Sequence, residues 1–270
     1  MLRNAFARLL FAGLLLSVPA LPALAAGPEL MARPPAVSPA NIETRSGVLQ
    51  LAGGAYAYLP RNRNLAASPV LVALHPVGMQ AAQVLESFRE IADRDGIVLL
   101  IPQSTKATWD MIEDLKSRLG AEMNVQPRYG KDLKAIDAAL ADLFGRVAVD
   151  PARIGIMGFS DGATYALSVG TANPELFRQV IAFSPGPAFL GKSGPQQYIF
   201  ISHGESDKVL PFSVTRGHVA KLRVKKIPIE FERFNGGHEV PKAIKEKAFV
   251  FFKDPAAATA ASAAATPRAN

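Results

Sequence analysis

The sequence predicts an α/β fold in which a mostly parallel, doubly wound sheet carries helices on both faces. Short apolar runs such as VLVAL at 70–74 and IVLLI at 97–101 have the composition of strands buried on both faces. Stretches with apolar residues at helical spacing, such as 81–93 and 132–144, alternate with these runs. Because a helix between two strands forms a crossover connection, this alternation favours parallel strands.

The predicted elements run from a hairpin to a closing helix. The hairpin pairs 47–51 with 55–59 around Gly53 and Gly54. Further strands are predicted at 70–74, 97–101, 153–157, 179–183, 198–202 and 229–234. Helices are predicted at 81–93, 111–119, 132–144, 161–170, 214–223 and 240–252. Active sites of such sheets form at the carboxyl ends of the strands, so residues just after the strands are the functional candidates.

The beginning of the chain has the features of a signal peptide, predicted at 1–26. Arg3 and Arg8 form a basic region ahead of an apolar stretch at 9–18, and small residues at 23–26 offer a cleavage site. We therefore expect a periplasmic or secreted protein. An uncleaved membrane anchor is the alternative, which the short apolar stretch and the prolines Pro19 and Pro22 disfavour.

The rest of the 270-residue chain is expected to hold one folded domain at 46–254. Residues 27–45 are rich in Pro and Ala and are interpreted as a lead-in to that domain. Residues 255–270 contain no large apolar side chain to bury, so a disordered Ala-rich tail is expected there. The oligomeric state is left open by the sequence.

Composition excludes several kinds of site. The chain has no cysteine, which excludes disulfides, thiolate catalysis and Cys-ligated zinc. No His and Asp cluster has metal-ligand spacing, so no metal is expected. The formal net charge is +7, but the Lys-rich stretches at 221–226 and 242–247 fall on predicted helices and their ends, where solvated faces are usual. No nucleic-acid motif accompanies them, so no nucleic-acid partner is expected. The charge would allow a weak attraction to anionic envelope surfaces.

A G-x-S-x-G pattern stands at 158–162, directly after the predicted strand RIGIM. In this pattern a serine occupies a tight strand-to-helix turn, and the flanking glycines let the strand and the helix approach each other. The hydroxyl then projects above the sheet, and the next N–H points at a developing oxyanion. Ser160 is therefore the candidate nucleophile and the Asp161 N–H a candidate oxyanion donor. The side chain of Asp161 is expected to cap the helix.

Three histidines follow Ser160, and a serine nucleophile needs a base within hydrogen-bond reach. His238 stands in the sequence NGGH after the last predicted strand, where two glycines allow the loop to carry an imidazole over the sheet edge. His218 falls within a predicted helix and is interpreted as a surface residue. His203 ends a predicted strand. His238 is accordingly the candidate base.

The acid that orients the base must follow a strand and precede His238. Asp207, in the sequence HGESDKVLP, meets both conditions, and its carboxylate would accept the second imidazole N–H. Glu205, two residues earlier, is the alternative.

The second oxyanion donor is expected in the loop after the strand at 70–74. Pro76 has no N–H, so the Val77 N–H is the first candidate and the Gly78 N–H the second. His75 is expected either to orient this loop or to serve as a strand-end residue bonded to the backbone. The irregular segment 103–127 is expected to shape a substrate pocket lined by His75 and Trp109, with core packing as the alternative for Trp109.

These segments together resemble a group of bacterial α/β-hydrolases, the phospholipase/carboxylesterase and polyhydroxybutyrate-depolymerase-like serine esterases. The resemblance covers most of 70–252 and rests on Leu74-His75, on the stretch from GFSDG to FSPG at 158–186, on HGESDKVLP and on FNGGHEVP. It departs at Pro76, where the family usually has glycine. It implies an α/β-hydrolase fold in which Ser160, Asp207 and His238 are nucleophile, acid and base.

The function that this resemblance implies is hydrolysis of a small-molecule ester or thioester without a cofactor. Short-chain or aryl esters are the favoured substrates. A serine peptidase or thioesterase on the same fold is the first alternative. A non-catalytic envelope-binding protein with a hydrolase fold is the second, and it predicts a damaged set of catalytic residues.

Overall fold

The computed structural model describes residues 27–37, 39–118 and 126–265. The predicted signal peptide at 1–26 and the last five residues of the predicted tail lie outside the described residues.

The strands of the described residues form one eight-stranded sheet with the order β1-β2-β4-β3-β5-β6-β7-β8. The strands are β1 (Gly47–Gln50), β2 (Tyr56–Leu59), β3 (Ser68–Leu74), β4 (Val98–Ile101), β5 (Val149–Phe159), β6 (Gln179–Phe183), β7 (Tyr198–Gly204) and β8 (Ile229–Phe234). β1 and β2 form the predicted antiparallel hairpin, and β2 pairs antiparallel with β4. All the other neighbouring strands pair in parallel. The predicted mostly parallel sheet is confirmed.

Helices cover both faces of this sheet, as the sequence predicts. They are α1 (Ala81–Asp95), α2 (Asp110–Arg118), α3 (Lys131–Arg146), α4 (Asp161–Ala172), α5 (Phe212–Val224), α6 (Lys242–Lys253) and α7 (Pro255–Ala265). One buried cluster joins the sheet to α3, α4 and α5, and a second joins it to α1 and α6. Successive side chains of β3 enter the two clusters in turn: Val70 and Val72 belong to the first, Leu71 and Ala73 to the second.

The lead-in at 27–45 is packed against the domain. Leu30 is buried in the core cluster that contains α4, and its N–H donates to Asn173 Oδ1 at 2.8 Å. The Asn173 side chain in turn donates to the Pro28 carbonyl at 2.6 Å. Ala32 belongs to the same cluster, and the Met31 and Ala32 N–H groups both donate to Asp137 Oδ1 at 2.8 Å, so the segment is fixed to α3 as well as to the end of α4.

The prediction of a disordered tail is wrong over Pro255–Ala265, where α7 forms. Alanine has the highest intrinsic helix propensity, and proline is well suited to the first helical position. Ala258 packs against the second buried cluster, so small side chains are sufficient for the contact. A helix therefore forms in a segment that has no large apolar side chain to bury.

Candidate active site

Ser160 lies on the turn between β5 and α4, at the carboxyl end of the sheet. Its backbone has φ 56° and ψ −121°, a conformation that L-residues adopt at a cost of about 1–3 kcal/mol. The Ser160 N–H donates to the Phe183 carbonyl at 3.0 Å, and the Ser160 carbonyl accepts from the Thr164 N–H at 2.9 Å. These bonds on both sides hold the turn in its strained form.

The two glycines of the G-x-S-x-G pattern are required by close backbone approach. A Cβ placed on Gly158 would lie 2.3 Å from the carbonyl carbon of Gly162. A Cβ on Gly162 would lie 2.4 Å from the Leu74 oxygen and 2.6 Å from the His75 oxygen. α4 therefore begins in direct contact with both β5 and the end of β3, which brings Ser160 beside the loop after β3.

A chain of hydrogen bonds joins Ser160, His238 and Asp207. Ser160 Oγ lies 2.8 Å from His238 Nε2, and His238 Nδ1 lies 2.7 Å from Asp207 Oδ2. The carboxylate accepts from Nδ1–H, so Nε2 is the nitrogen free to accept the serine hydroxyl proton. Phe159 packs against the His238 ring with 4.7 Å between ring centroids. The structure thus brings together the three residues that the sequence singled out.

The Asp207 carboxylate is fully buried and receives hydrogen bonds on both oxygens. Oδ1 accepts the N–H groups of Val209 and Leu210 at 2.8 and 2.9 Å, while Oδ2 faces His238. Burial raises the pKa of this carboxyl, but the hydrogen bonds from His238 and the two amides outweigh burial. The pKa of Asp207 therefore lies below its ordinary value, and the group is anionic at neutral pH.

Glu205, the alternative acid, lies apart from this chain of hydrogen bonds. Its side chain is about half exposed and its carboxylate lies 3.3 Å from Arg233 Nη1.

The loops that carry Asp207 and His238 are bonded to each other: the Ser206 N–H donates to the Gly236 carbonyl at 3.0 Å. A Cβ on Gly204 would lie 2.2 Å from the Gly237 oxygen, so this contact also requires glycine.

Hydrogen bonds within the structure distinguish the N–H groups of the loop after β3. The Gly78 N–H donates to the Ala107 carbonyl at 2.8 Å, and the Met79 N–H donates to the Pro76 carbonyl at 3.3 Å. Within the described ranges no hydrogen bond from the Val77 N–H is found. The geometry therefore favours Val77 over Gly78 as a donor to a ligand. The Asp161 N–H opens α4 and is one of the N–H groups that have no acceptor within the helix.

His75 and Trp109 lie beneath this loop and not in an open pocket. Both are fully buried, so the structure does not support their predicted place in a pocket lining. His75 Nε2 accepts from the Ser104 N–H at 3.1 Å, and Nδ1 donates to the Pro76 carbonyl at 2.8 Å. Burial lowers the pKa of His75, which keeps the ring neutral. The Trp109 N–H donates to the His75 carbonyl at 2.9 Å, so both residues orient the loop that ends in Val77.

Two carboxylates organise the irregular segment that contains Trp109. Asp110 Oδ2 accepts from the Asp132 N–H and Asp132 Oδ2 accepts from the Asp110 N–H, both at 2.8 Å. Asp132 Oδ1 also accepts the Thr105 N–H at 2.8 Å, and Asp110 Oδ1 accepts the Tyr165 hydroxyl at 3.0 Å. The segment is thus fixed to α3 and α4 by side chains whose spacing gives no sequence signal.

Three further side chains differ from expectation or were not singled out. The Asp161 side chain accepts from Thr108 Oγ1 at 2.7 Å and lies 3.5 Å from Lys116 Nζ. It therefore connects α4 to α2 and to the residues just before α2, and it does not cap α4 as expected. His218 is buried, with Nε2 3.0 Å from the Gly186 carbonyl, so its interpretation as a surface residue is wrong. His203 Nε2 lies 3.2 Å from Asp207 Oδ2.

The described residues contain neither a metal-binding cluster nor a helix that could span a membrane. Among residues 27–37, 39–118 and 126–265, no group of three or more His, Cys, Asp or Glu side chains could hold a metal ion. Over the same part of the chain, no helix combines the length and the apolar character of a membrane span.

Comparison with known proteins identifies the family. The family model described as the dienelactone hydrolase family matches residues 54–266, which include Ser160, Asp207 and His238. The chain belongs to the dienelactone hydrolase family.

Relatives with esterase names support the same grouping. NocK of Nocardia uniformis subsp. tsuyamanensis, named as an esterase, is 25% identical over 236 residues, which are 74% of this chain and 64% of that protein. An acetylxylan esterase of Coprinopsis cinerea is 30% identical over 115 residues, which are 40% of this chain and 29% of that protein. The chain thus spans less than two thirds of the length of either relative.

Solved structures show the fold. A carboxylesterase from Bacillus cereus superposes with a TM-score of 0.54 at 18% identity, covering 73% of this chain and 92% of that one. The predicted α/β-hydrolase fold and the resemblance to carboxylesterases are confirmed.

Proposed function

We propose that this member of the dienelactone hydrolase family is a serine esterase that cleaves small carboxylic esters through an acyl-enzyme on Ser160. The observation that carries the proposal is the continuous hydrogen-bonded chain from Ser160 Oγ through His238 to Asp207, with distances of 2.8 and 2.7 Å. Membership of a hydrolase family and the esterase names of two relatives support it. A non-catalytic role is disfavoured because it predicts a broken chain of these groups.

The proposed reaction has two steps. Ser160 Oγ attacks the ester carbonyl carbon while His238 Nε2 takes the hydroxyl proton, and the anionic Asp207 stabilises the imidazolium that forms. The tetrahedral intermediate collapses as Nε2 returns the proton to the leaving alcohol. Water then attacks the acyl group, again with His238 as base, and releases the acid and the free serine.

The oxyanion hole is proposed to consist of the N–H groups of Val77 and Asp161. Both belong to segments that meet beside Ser160, since Gly162 touches the Leu74 and His75 carbonyls. Fixed donors of this kind stabilise the charge of the intermediate without reorganisation during the reaction. The buried His75 and Trp109 support the proposal because they hold the loop in place.

We further propose that residues 1–26 are a signal peptide and that the protein works in the periplasm or outside the cell. The basic start, the apolar stretch and the small residues at 23–26 motivate this. Finding the protein in a cell fraction that retains cytoplasmic markers, with residue 1 intact, would contradict it.

Hydrolysis of p-nitrophenyl acetate, butyrate and octanoate, with p-nitroanilides of the same acids for comparison, tests the substrate class. We expect the highest kcat/KM on acetate or butyrate and at least about 100-fold lower values on the anilides. Faster turnover of the anilides would indicate a peptidase instead. Absence of turnover on every ester and thioester would contradict the proposed function.

A further inference from the structure

We propose that His203 is a positioning residue that holds the Asp207 carboxylate in the orientation that His238 requires. The inference rests on the proposed function, which assigns no task to His203. It places His203, and with it Thr215, behind the carboxylate that ends the hydrogen-bonded chain from Ser160.

The contacts of His203 define which ring nitrogen carries the proton. Its side chain is fully buried at the end of β7. Nε2 lies 3.2 Å from Asp207 Oδ2 and 3.0 Å from the Leu210 carbonyl oxygen. Both of these atoms are acceptors, so Nε2 must carry a hydrogen. This N–H donates its hydrogen bond to the Leu210 carbonyl and is in electrostatic contact with Asp207 Oδ2. The His203 N–H therefore lies beside Asp207 Oδ2, the same oxygen that accepts the hydrogen bond from His238 Nδ1.

Thr215 on α5 fixes this tautomer. His203 Nδ1 lies 2.8 Å from Thr215 Oγ1, and Thr215 is itself buried. Burial lowers the pKa of His203, so the ring is neutral at neutral pH and Nδ1 accepts the threonine hydroxyl proton. The Phe212 ring packs against the imidazole in an edge-on arrangement at 5.8 Å between centroids, which keeps the ring from turning over.

The consequence concerns the carboxylate of Asp207. Its Oδ1 is held by two backbone N–H groups, whereas Oδ2 would otherwise be held only by His238, whose proton changes during each catalytic cycle. The His203 N–H, whose protonation does not change during the cycle, adds a second electrostatic contact to Oδ2 at 3.2 Å and so keeps the carboxylate plane aligned. Because His203 donates as a neutral ring, it leaves the full negative charge of Asp207 available to the His238 imidazolium.

Four variants test this role in the full chain: His203→Leu, His203→Gln, Thr215→Val and the double variant His203→Leu/Thr215→Val. Leucine fills the space without a donor, whereas glutamine can place an N–H near the position of Nε2. We expect His203→Leu to lower kcat for p-nitrophenyl butyrate about 10-fold with KM little changed, because the substrate does not touch His203. His203→Gln is expected to recover most of that loss.

The two variants that replace Thr215 test whether Thr215 acts through His203. We expect Thr215→Val to lower kcat about 3-fold, and the double variant to be no slower than His203→Leu, as coupled residues should behave. The rate of inactivation by a fluorophosphonate should follow the same order, since it reports activation of Ser160 without a leaving alcohol. Thermal unfolding of each variant shows whether the fold is intact.

The outcomes separate this inference from the proposed function. An active parent protein, an inactive Ser160→Ala variant and a folded His203→Leu variant with unchanged kcat would overturn the positioning role alone. Equal losses in folded His203→Leu and His203→Gln would overturn it as well, because the donor would then be irrelevant. If His203→Leu does not fold, an unchanged kcat in Thr215→Val is the overturning result. Full activity of Ser160→Ala would instead overturn the proposed function.

Discussion

At the scale of single residues, the candidate site depends on which carboxylate faces His238. Asp207 is buried and lies 2.7 Å from Nδ1, whereas Glu205, two positions earlier, is about half exposed and lies beside Arg233. The loop turns between them, so two acidic residues of one short segment have opposite environments. The amides of Val209 and Leu210 explain the choice, because they bind the Asp207 carboxylate and draw it inward.

A pair of matched substitutions tests this assignment. We expect Asp207→Asn to lower kcat/KM for p-nitrophenyl butyrate about 1,000-fold or more, because an amide favours the wrong imidazole tautomer and has no charge to stabilise the imidazolium. Glu205→Gln should stay within about 3-fold of the parent protein, since its removal disturbs only an exposed ion pair. The opposite ranking of the two variants would move the acid to Glu205.

The residues of the hydrogen-bonded chain were accessible to sequence reasoning because each follows a strand and has a local signal. Ser160 has flanking glycines, Asp207 precedes Val-Leu-Pro, and His238 follows two glycines. Buried supporting residues have no such signal. The sequence leaves Trp109 open between a pocket lining and the core, because its indole N–H bonds to the His75 carbonyl 34 positions away, a contact that no local pattern indicates. His218 was placed on the surface because nothing in its helix indicates the distant Gly186 carbonyl.

At the scale of secondary-structure elements, the site depends on how closely α4 approaches β3 and β5. The approach is set by backbone atoms, since the neighbours of a Cβ on Gly162 would be the Leu74 and His75 carbonyls at 2.4 and 2.6 Å. Carbonyl groups at the end of a central strand cannot move without disturbing the parallel pairing of Leu74 with Gly158. The glycine is thus a structural requirement as well as a functional one.

Gly162→Ala is therefore expected to be destabilising by about 2–4 kcal/mol and to reduce activity strongly, because α4 and Ser160 must shift together. Gly217→Ala is the matched control: this glycine also lies within a helix, but a Cβ there has open space around it. The control should be stabilised by up to about 1 kcal/mol, with activity retained. Urea unfolding and ester hydrolysis measure both quantities. Equal stability of the two variants would contradict the close packing of α4.

The periodic elements were predicted well, and the segments without periodicity were not. Strands and helices with a regular apolar pattern, such as β3 and α3, appear where the sequence places them. The packing of the lead-in was not predicted, and α7 was wrongly expected to be disordered, because two isolated buried side chains or a run of alanines do not form a periodic pattern. Their positions follow from contacts with elements that are distant in the chain, namely Asn173 at the end of α4 and the cluster under α6.

At the scale of the whole molecule, the protein buries three histidines that stay neutral. His75, His203 and His218 are buried on different elements, and burial lowers the pKa of each ring. In the unfolded chain these rings take up protons as the pH falls through about 6.5. The unfolded state then binds more protons than the folded state. The free energy of unfolding therefore decreases as the pH falls through this range.

We expect the Tm to be about 5 °C lower at pH 5.5 than at pH 7.5. Burial raises the pKa of Glu230, so this carboxyl stabilises the folded state as the pH falls. Its effect opposes that of the three histidines but comes from a single group. Asp207, with its lowered pKa, contributes stability that is lost only at more acidic pH, below about 4. Differential scanning calorimetry checks the shift, and His218→Gln should reduce it because one of the three rings is gone. A Tm that is unchanged or higher at pH 5.5 would contradict this account.

The central claim is that Ser160 is an activated nucleophile, and covalent labelling tests it most directly. The purified protein is treated with a fluorophosphonate at pH 7.5, digested, and mapped by mass spectrometry, with Ser160→Ala treated in parallel. The account predicts stoichiometric labelling on Ser160, loss of ester hydrolysis in proportion to the labelled fraction, and neither labelling nor turnover in the variant. An unlabelled parent protein, a label on another serine, or ester turnover that survives complete labelling would contradict it.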